Sequence, residues 1–354
     1  MDRSYFALIL TALGLTFVII VFGAFVRLSD AGLGCPDWPG CYGHLVIPAG
    51  EQWIPAANES FPERPVELAK AWIEMIHRHL AKFLGLLIIA LAFVAWRRRR
   101  VSGRSPWLSV GLVGLVVFQG ILGAWTVTLQ LKPLVVTAHL LGGMAIFALL
   151  GLLALRQLPW PTLADGGARR LRPFVWLGLG LVVGQIFLGG WTSTNYAALA
   201  CPDFPTCHTR WWPPAMDFQQ GFVLWRGLGV NYEYGVLSPE ARVAVHMAHR
   251  LGALVVVAYW GALLLALGLG VRAAVVRWLG LAVGVALALQ VALGIANIVW
   301  LLPLGVAVAH NGAAALLLLA TTALVAAVQR AAVDTRADRR PRAYAVPPGV
   351  PASP

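Results

Sequence analysis

Gly34-Cys-Pro-Asp-Trp-Pro-Gly-Cys41 returns later in the chain as Ala200-Cys-Pro-Asp-Phe-Pro-Thr-Cys207, with the first cysteines 166 residues apart (201 − 35). Two further landmarks follow each copy in the same order. Ile76-His-Arg78 is matched by Ala248-His-Arg250 at an offset of 172 (249 − 77). Gln119, Gly123 and His139 are matched by Gln290, Gly294 and His310 at 171 (310 − 139). Three landmarks in one order at near-constant spacing mark an internal duplication.

The duplicated unit is apolar. The 354 residues are 59% hydrophobic and only 12% charged, with mean hydropathy +0.75. So few charges cannot cover the surface of a water-soluble domain of this size, so lipid must solvate most of it. Crossing the hydrocarbon core takes about 20 apolar residues per helix. Eight stretches qualify, roughly 5–26, 73–95, 107–128, 134–155, 174–194, 244–270, 278–299 and 304–328. The expected fold is an all-α membrane protein of eight transmembrane helices, arranged as two pseudo-symmetric four-helix bundles. Residues 1–155 form the first half, 156–173 a linker, 174–330 the second half and 331–354 a disordered tail rich in Pro, Ala and Arg. An even number of spans per half leaves both halves in one orientation, related by a pseudo-two-fold along the membrane normal.

The formal net charge is +12, but its distribution argues against a nucleic-acid surface. Arginine gathers in Arg97 to Arg100 with Arg104, in Arg156 with Arg169, Arg170 and Arg172, in Arg272 with Arg277, and from Arg330 to Arg342. These places alternate with two long loops, 27–72 and 195–243, that hold most of the acids. Basic residues stay on the cytoplasmic side during insertion, so both termini are expected in the cytoplasm of a bacterium, with the chain in its inner membrane. The first span is too long for a cleaved signal, and the Gly-Leu-Gly-Cys that ends at Cys35 lies beyond Arg27 and Asp30.

His77, His139, His249 and His310 each lie a few residues inside a span that enters from the long-loop side. Two histidines on neighbouring helices at matched depth can ligate one heme iron from opposite faces, which gives two sites, His77 with His139 and His249 with His310. A single histidine near a helix end is more often interfacial or bonded to a neighbour. Four at equivalent positions of a duplicated unit reverse that weighting. Two histidines without a nearby carboxylate or thiolate underfill a zinc or copper shell. His44 and His208 sit in the loops, and His79 points away from His77, so none of the three is assigned iron.

Arg78 and Arg250 follow the ligands and would be costly in lipid; heme propionates are one partner for them, snorkelling to the headgroups another. The halves differ at one place. Glu74 shares a helix face with His77, and its counterpart is His246 (246 − 74 = 172). A carboxylate there can accept a proton or orient water or a substrate cation, or simply pair with an arginine such as Arg78. Cys35/Cys41 and Cys201/Cys207 read as two disulfides on an oxidising side, or as a redox or heme-handling pair in the case of Cys35 and Cys41. Trp211, Trp212, Phe218, Phe222 and Trp225 have the composition of a segment lying among headgroups or of a lid.

Glu74-Met-Ile-His77-Arg78, the paired C-x5-C loops, Asn195-Tyr-Ala-Ala-Leu-Ala-Cys201, Trp211-Trp-Pro-Pro-Ala-Met-Asp217 and His310 together resemble the heme A synthase family, in its proteobacterial and mitochondrial branch, over about residues 5–328. The resemblance implies an oxidoreductase that converts the C8 methyl group of heme O to the formyl group of heme A for cytochrome c oxidase, by successive hydroxylations and loss of water. It implies that His77 and His139 hold the substrate heme, that Glu74 is catalytic, and that His249 and His310 are the axial ligands of a permanent heme b. His246 leaves open which of His246 and His249 binds iron; the following Arg250 favours His249. The partners implied are heme O, membrane lipid, a heme O synthase, an electron-transfer partner and a further copy of the chain. Two other functions use the same histidines without needing Glu74: a diheme membrane electron carrier, and a heme transporter or chaperone.

Overall fold

The computed structural model describes residues 3–102, 105–159 and 165–337. These form α1 (Arg3–Leu28), α2 (Ile54–Ser60), α3 (Leu68–Ser102), α4 (Trp107–Thr128), α5 (Pro133–Leu155), α6 (Gly166–Thr194), α7 (Phe218–Gly221), α8 (Pro239–Gly270), α9 (Ala274–Val299) and α10 (Leu304–Ala337). The short α2 and α7 lie in the long loops. The other eight are long and apolar enough to cross a membrane, one for each expected span, so the chain is an all-helical multi-pass membrane protein. Among the described residues the β-structure is confined to two isolated bridges, Cys41 with His44 and Cys207 with Arg210.

The helices overrun the apolar stretches. α3 starts at Leu68 and α8 at Pro239, so both emerge on the long-loop face before entering lipid. α6 starts at Gly166, which turns the later part of the expected linker into helix; residues 160–164 of that linker lie outside the described residues. α10 runs to Ala337, past the start of the expected tail, while 338–354 and Arg104 also lie outside the described residues. Start signals are local. Ser238 Oγ accepts from Ala241 N–H ahead of Pro239, and Asp165 accepts from Gly167 and Ala168 N–H.

Leu86, Phe93, Leu265, Leu269 and Trp278 are exposed along these helices. In lipid that exposure is solvation, because each helix satisfies its own backbone and asks only for apolar neighbours. Inside, α1 and α4 each pack on both α3 and α5, and α6 and α9 each pack on both α8 and α10. The two rings meet through α1 with α10, α5 with α6, and α5 with α10, a set that maps onto itself when the halves are exchanged. That pattern is compatible with the pseudo-two-fold. α10 lies deepest, with Ala313, Ala314, Ala315, Ala323 and Ala327 buried, since small side chains let helix backbones approach where packing rather than water exclusion drives association.

Backbone detail repeats with the sequence. The α4–α5 turn holds Gln130 and Leu131 at φ 47° and 59°, and the α9–α10 turn holds Leu301 and Leu302 at 59° and 61°. Leu131 N–H donates to Thr126 O at 2.8 Å, and Leu302 N–H to Asn297 O at 2.7 Å. Non-glycine residues rarely sit at positive φ, so two such turns 171 residues apart (301 − 130) carry the duplication into the backbone.

Candidate functional site

Each of the four histidines lies against a glycine on the helix before its own in the same ring. A methyl group at Gly23 of α1 would come 2.9 Å from His77 Cε1, and one at Gly189 of α6 would come 3.2 Å from His249 Cε1. Gly123 of α4 stands in the same relation to His139 at 3.5 Å, and Gly294 of α9 to His310 at 3.2 Å. Glycine there removes the Cβ that would push the imidazole aside. His77 and His139 stand on α3 and α5, which both pack on α1 and α4, and His249 and His310 stand on α8 and α10, which both pack on α6 and α9.

The ring nitrogens carry the chemical information. Nδ1 of His77, His139 and His310 is buried with no hydrogen-bond partner, as is Nε2 of Gln119. His249 Nδ1 instead meets Gln185 Nε2 at 3.0 Å, and His310 Nε2 meets Gln290 Nε2 at 3.2 Å. An unpaired buried polar atom costs about 1–3 kcal/mol, so such a cluster asks for a ligand. No group of three or more His, Cys, Asp or Glu side chains suited to a bare metal ion occurs among the described residues. Heme iron, which brings four nitrogens of its own, would need only two further ligands, and the imidazole pair on each side could supply them. The donor set fits heme.

Glu74 and His246 occupy equivalent places and do equivalent work. Glu74 is 5% exposed; its Oε1 takes Arg78 Nη2 at 2.5 Å and its Oε2 takes Cys35 N–H at 2.8 Å. Arg78 also donates to the carbonyls of Asp37, at 3.0 Å, and Gly40. In the second half Arg250 Nε donates to His246 Nε2 at 3.1 Å, and Arg250 also reaches the carbonyls of Cys201, Asp203 and Thr206. Both arginines therefore clamp the cysteine loops. With Nε2 accepting, the His246 proton sits on Nδ1 and donates to Ala197 O at 2.9 Å. Both nitrogens of His246 are occupied by the fold, whereas His249 holds the place that His77 holds in the first half.

The cysteines are joined as Cys35–Cys41 and Cys201–Cys207. Within each loop an aspartate organises the backbone. Asp37 accepts from Tyr42 and Gly43 N–H, and Asp203 from His208 and Thr209 N–H. The Thr206 hydroxyl, then the N–H groups of Thr209 and His208, pull the Asp203 carboxyl down to about 2. The three remaining histidines are away from the pairs. His79 Nδ1 meets Met75 O at 2.7 Å, His208 Nε2 meets Ala200 O at 3.0 Å, and His44 packs edge-on against Trp53.

A family model described as cytochrome oxidase assembly protein matches residues 6–322. The chain is 46% identical over 305 residues to the heme A synthase of Shewanella oneidensis, covering 86% of this chain and 90% of that protein. It is 29% identical to those of Rhizorhabdus wittichii (86% of this chain, 88% of the relative) and Caulobacter vibrioides (89% and 93%). The chain belongs to the heme A synthase family.

For a heme A synthase family member, the sequence exposed the histidines, Glu74 and the cysteines, and overlooked Gly23, Gly189 and Gln185. The two glycines are 166 residues apart (189 − 23), so aligning the repeat on the first cysteines would have paired them. Gln185 has Ile19 as its counterpart at the same offset (185 − 19), and no sequence signal marks it.

Proposed function

We propose that this chain is the enzyme that oxidises the C8 methyl group of heme O to the formyl group of heme A, in a bacterial inner membrane with both termini in the cytoplasm. The observation that carries the reading is the four-histidine array. Repeat-equivalent, glycine-backed imidazoles stand on both sides, three of the four with a buried unpaired nitrogen, and only one side adds a buried carboxylate.

On this reading His77 and His139 hold the substrate heme, and His249 and His310 hold a heme b that supplies electron transfer when bound. Gly23 and Gly123 leave the substrate-side imidazoles room to align, and the apolar helix walls exclude water from the reacting carbon. Glu74 is the one buried carboxylate among the described residues, on the same helix as His77 and three residues before it. It takes and releases protons beside the substrate, held in place by Arg78 and by Cys35 N–H. The disulfide loops fix those partners at the membrane edge. The arginine runs on the face opposite the long loops support the cytoplasmic placement of the termini. Heme O reaches the site from a heme O synthase, and electrons leave through a separate carrier.

The ion pair of Glu74 with Arg78 also favours a second reading, a heme carrier in which Glu74 is purely structural. Glu74→Gln decides between them. Membranes of cells supplied with heme O and expressing this variant are expected to accumulate heme O, with heme A at least about 100-fold below wild type by extraction and mass spectrometry. Undiminished heme A would reject the enzymatic role of Glu74. Wild-type protein that co-purifies with neither heme O nor heme A would reject the function.

A further inference from the structure

Two buried donors without partners lie outside the histidine array but close above it: Arg27 Nε and Tyr196 Oη. They belong to one stacked pair, with the Arg27 guanidinium carbon 4.1 Å from the centre of the Tyr196 ring. The rest of the Arg27 head is partly engaged. Nη2 donates to Ser193 O at 2.9 Å, and Nη1 lies 3.7 Å from Asp30 Oδ1. The Arg27 side chain is only 14% exposed, so water does not serve the orphaned Nε–H. A buried cationic donor beside a buried hydroxyl, both unpaired, is a place prepared for an anion.

The position tells which anion. Gly23, against which His77 packs, is four residues before Arg27 on α1. Arg27 therefore stands about 6 Å, one helical turn, nearer the long-loop face on the same side of the helix. The second half has no such charge. Its counterpart of Gly23 is Gly189, and its counterpart of Arg27 is Ser193 (193 − 27 = 166), whose carbonyl Arg27 itself binds. Most donors of Arg78 and Arg250 are engaged by the cysteine loops, Glu74 and His246, whereas Arg27 Nε and Tyr196 Oη are buried with no partner and can receive an anion without breaking an existing bond.

We propose that Arg27 and Tyr196 form an anion subsite that takes a carboxylate arm of the porphyrin held by His77 and His139. The proposal rests on the reading of those histidines as heme ligands. Bound there, the carboxylate accepts from Arg27 Nε–H and Tyr196 O–H, which fixes the carboxylate-bearing edge of the macrocycle toward the long-loop face. The subsite belongs to the first half alone, because Ser193 offers no cation.

The test titrates the purified full-length chain with ferric protoporphyrin IX and with its dimethyl ester, following the Soret band. His77→Ala identifies the first-half share of the signal. At the His77-dependent site the wild type is expected to bind the free diacid about tenfold more tightly than the ester. Arg27→Leu should erase that preference by weakening diacid binding alone, and Tyr196→Phe, which keeps the stacked ring, should weaken it about threefold. Arg27→Lys, retaining charge without the Nε–H, should fall between wild type and Arg27→Leu, and covers the case in which leucine there prevents folding. Equal loss for diacid and ester would mean a structural role and overturn the subsite. An unchanged preference in Arg27→Lys and Tyr196→Phe would overturn it as well, while leaving the histidine reading intact. Absence of any His77-dependent binding by the wild type would overturn both.

Discussion

At the scale of single residues, what distinguishes a ligand from a support is whether its polar atoms are already used. His246 and His249 share α8 and are three residues apart, and in the sequence only the following Arg250 favours His249. The fold ranks them. His246 gives one nitrogen to Arg250 and the other to Ala197 O, while His249 faces Gly189 from the place that His77 occupies against Gly23. His246→Gln should therefore keep the full heme content, because an amide can still accept from Arg250 and donate to Ala197 O. His249→Ala should lose about half of the bound heme, one site of two. Pyridine hemochrome assays on purified variants measure both. Heme lost in His246→Gln but retained in His249→Ala would reverse the assignment.

At the scale of elements, the ends of the helices are tied to one another by side chains the apolar pattern does not reveal. Asp165 caps α6 through Gly167 and Ala168 N–H, and its other oxygen takes Arg272 and Ala273 N–H from the turn between α8 and α9. Burial opposes the charge, but the N–H groups of Ala273, Ala168, Arg272 and Gly167 outweigh it and hold the carboxyl below its ordinary value. The sign follows. A lowered folded-state pKa gives stability that is complete above the ordinary carboxylate range and is lost as pH falls through the lowered value. Asp165→Ala should cost about 1–2 kcal/mol near neutral pH, and Asp165→Asn distinctly less. Thermal unfolding in detergent should show the gap between Asp165→Ala and wild type narrowing as the solution is acidified below about pH 4. A gap independent of pH would mean that the charge has no part in the cap.

At the scale of the whole molecule, the long loop of the second half reaches over the first. Lys132, 1% exposed, donates to Gly227 O at 3.0 Å and lies 3.5 Å from the centre of the Trp225 ring. Tyr232 N–H donates to Gln130 O, and Arg64 pairs with Glu233 at 2.9 Å. Lys132→Met should release this strap, weakening its docking by about 2 kcal/mol without unfolding the bundle. Limited proteolysis checks it, with faster cleavage expected within residues 222–237 and unchanged helical circular dichroism. Protection equal to wild type would show that the strap is held elsewhere. Ser193, which receives Arg27, lies in the last turn of α6, and Tyr196, whose hydroxyl is unpaired, opens this loop, so chain from both halves meets at Arg27.

The sequence by itself determined the eight spans, the duplication and the four candidate ligands. Apolar length and repeat spacing are properties of the chain alone, and a bilayer accepts few other ways to place them. It also marked Glu74 and His246 as the point where the halves part. It did not determine which polar atoms remain free. Arg78 and Arg250 look free from their positions beside the histidines, yet each reaches carbonyls of a disulfide loop some forty residues earlier in the chain and also bonds Glu74 or His246 on its own helix. Arg27 looks like a mere helix end, yet its Nε is buried and unpaired beside Tyr196. Only the tertiary structure decided these matters, because hydrogen-bond partners are assigned by proximity in space, and a repeat fixes the order of residues without fixing which donors the neighbouring loops consume.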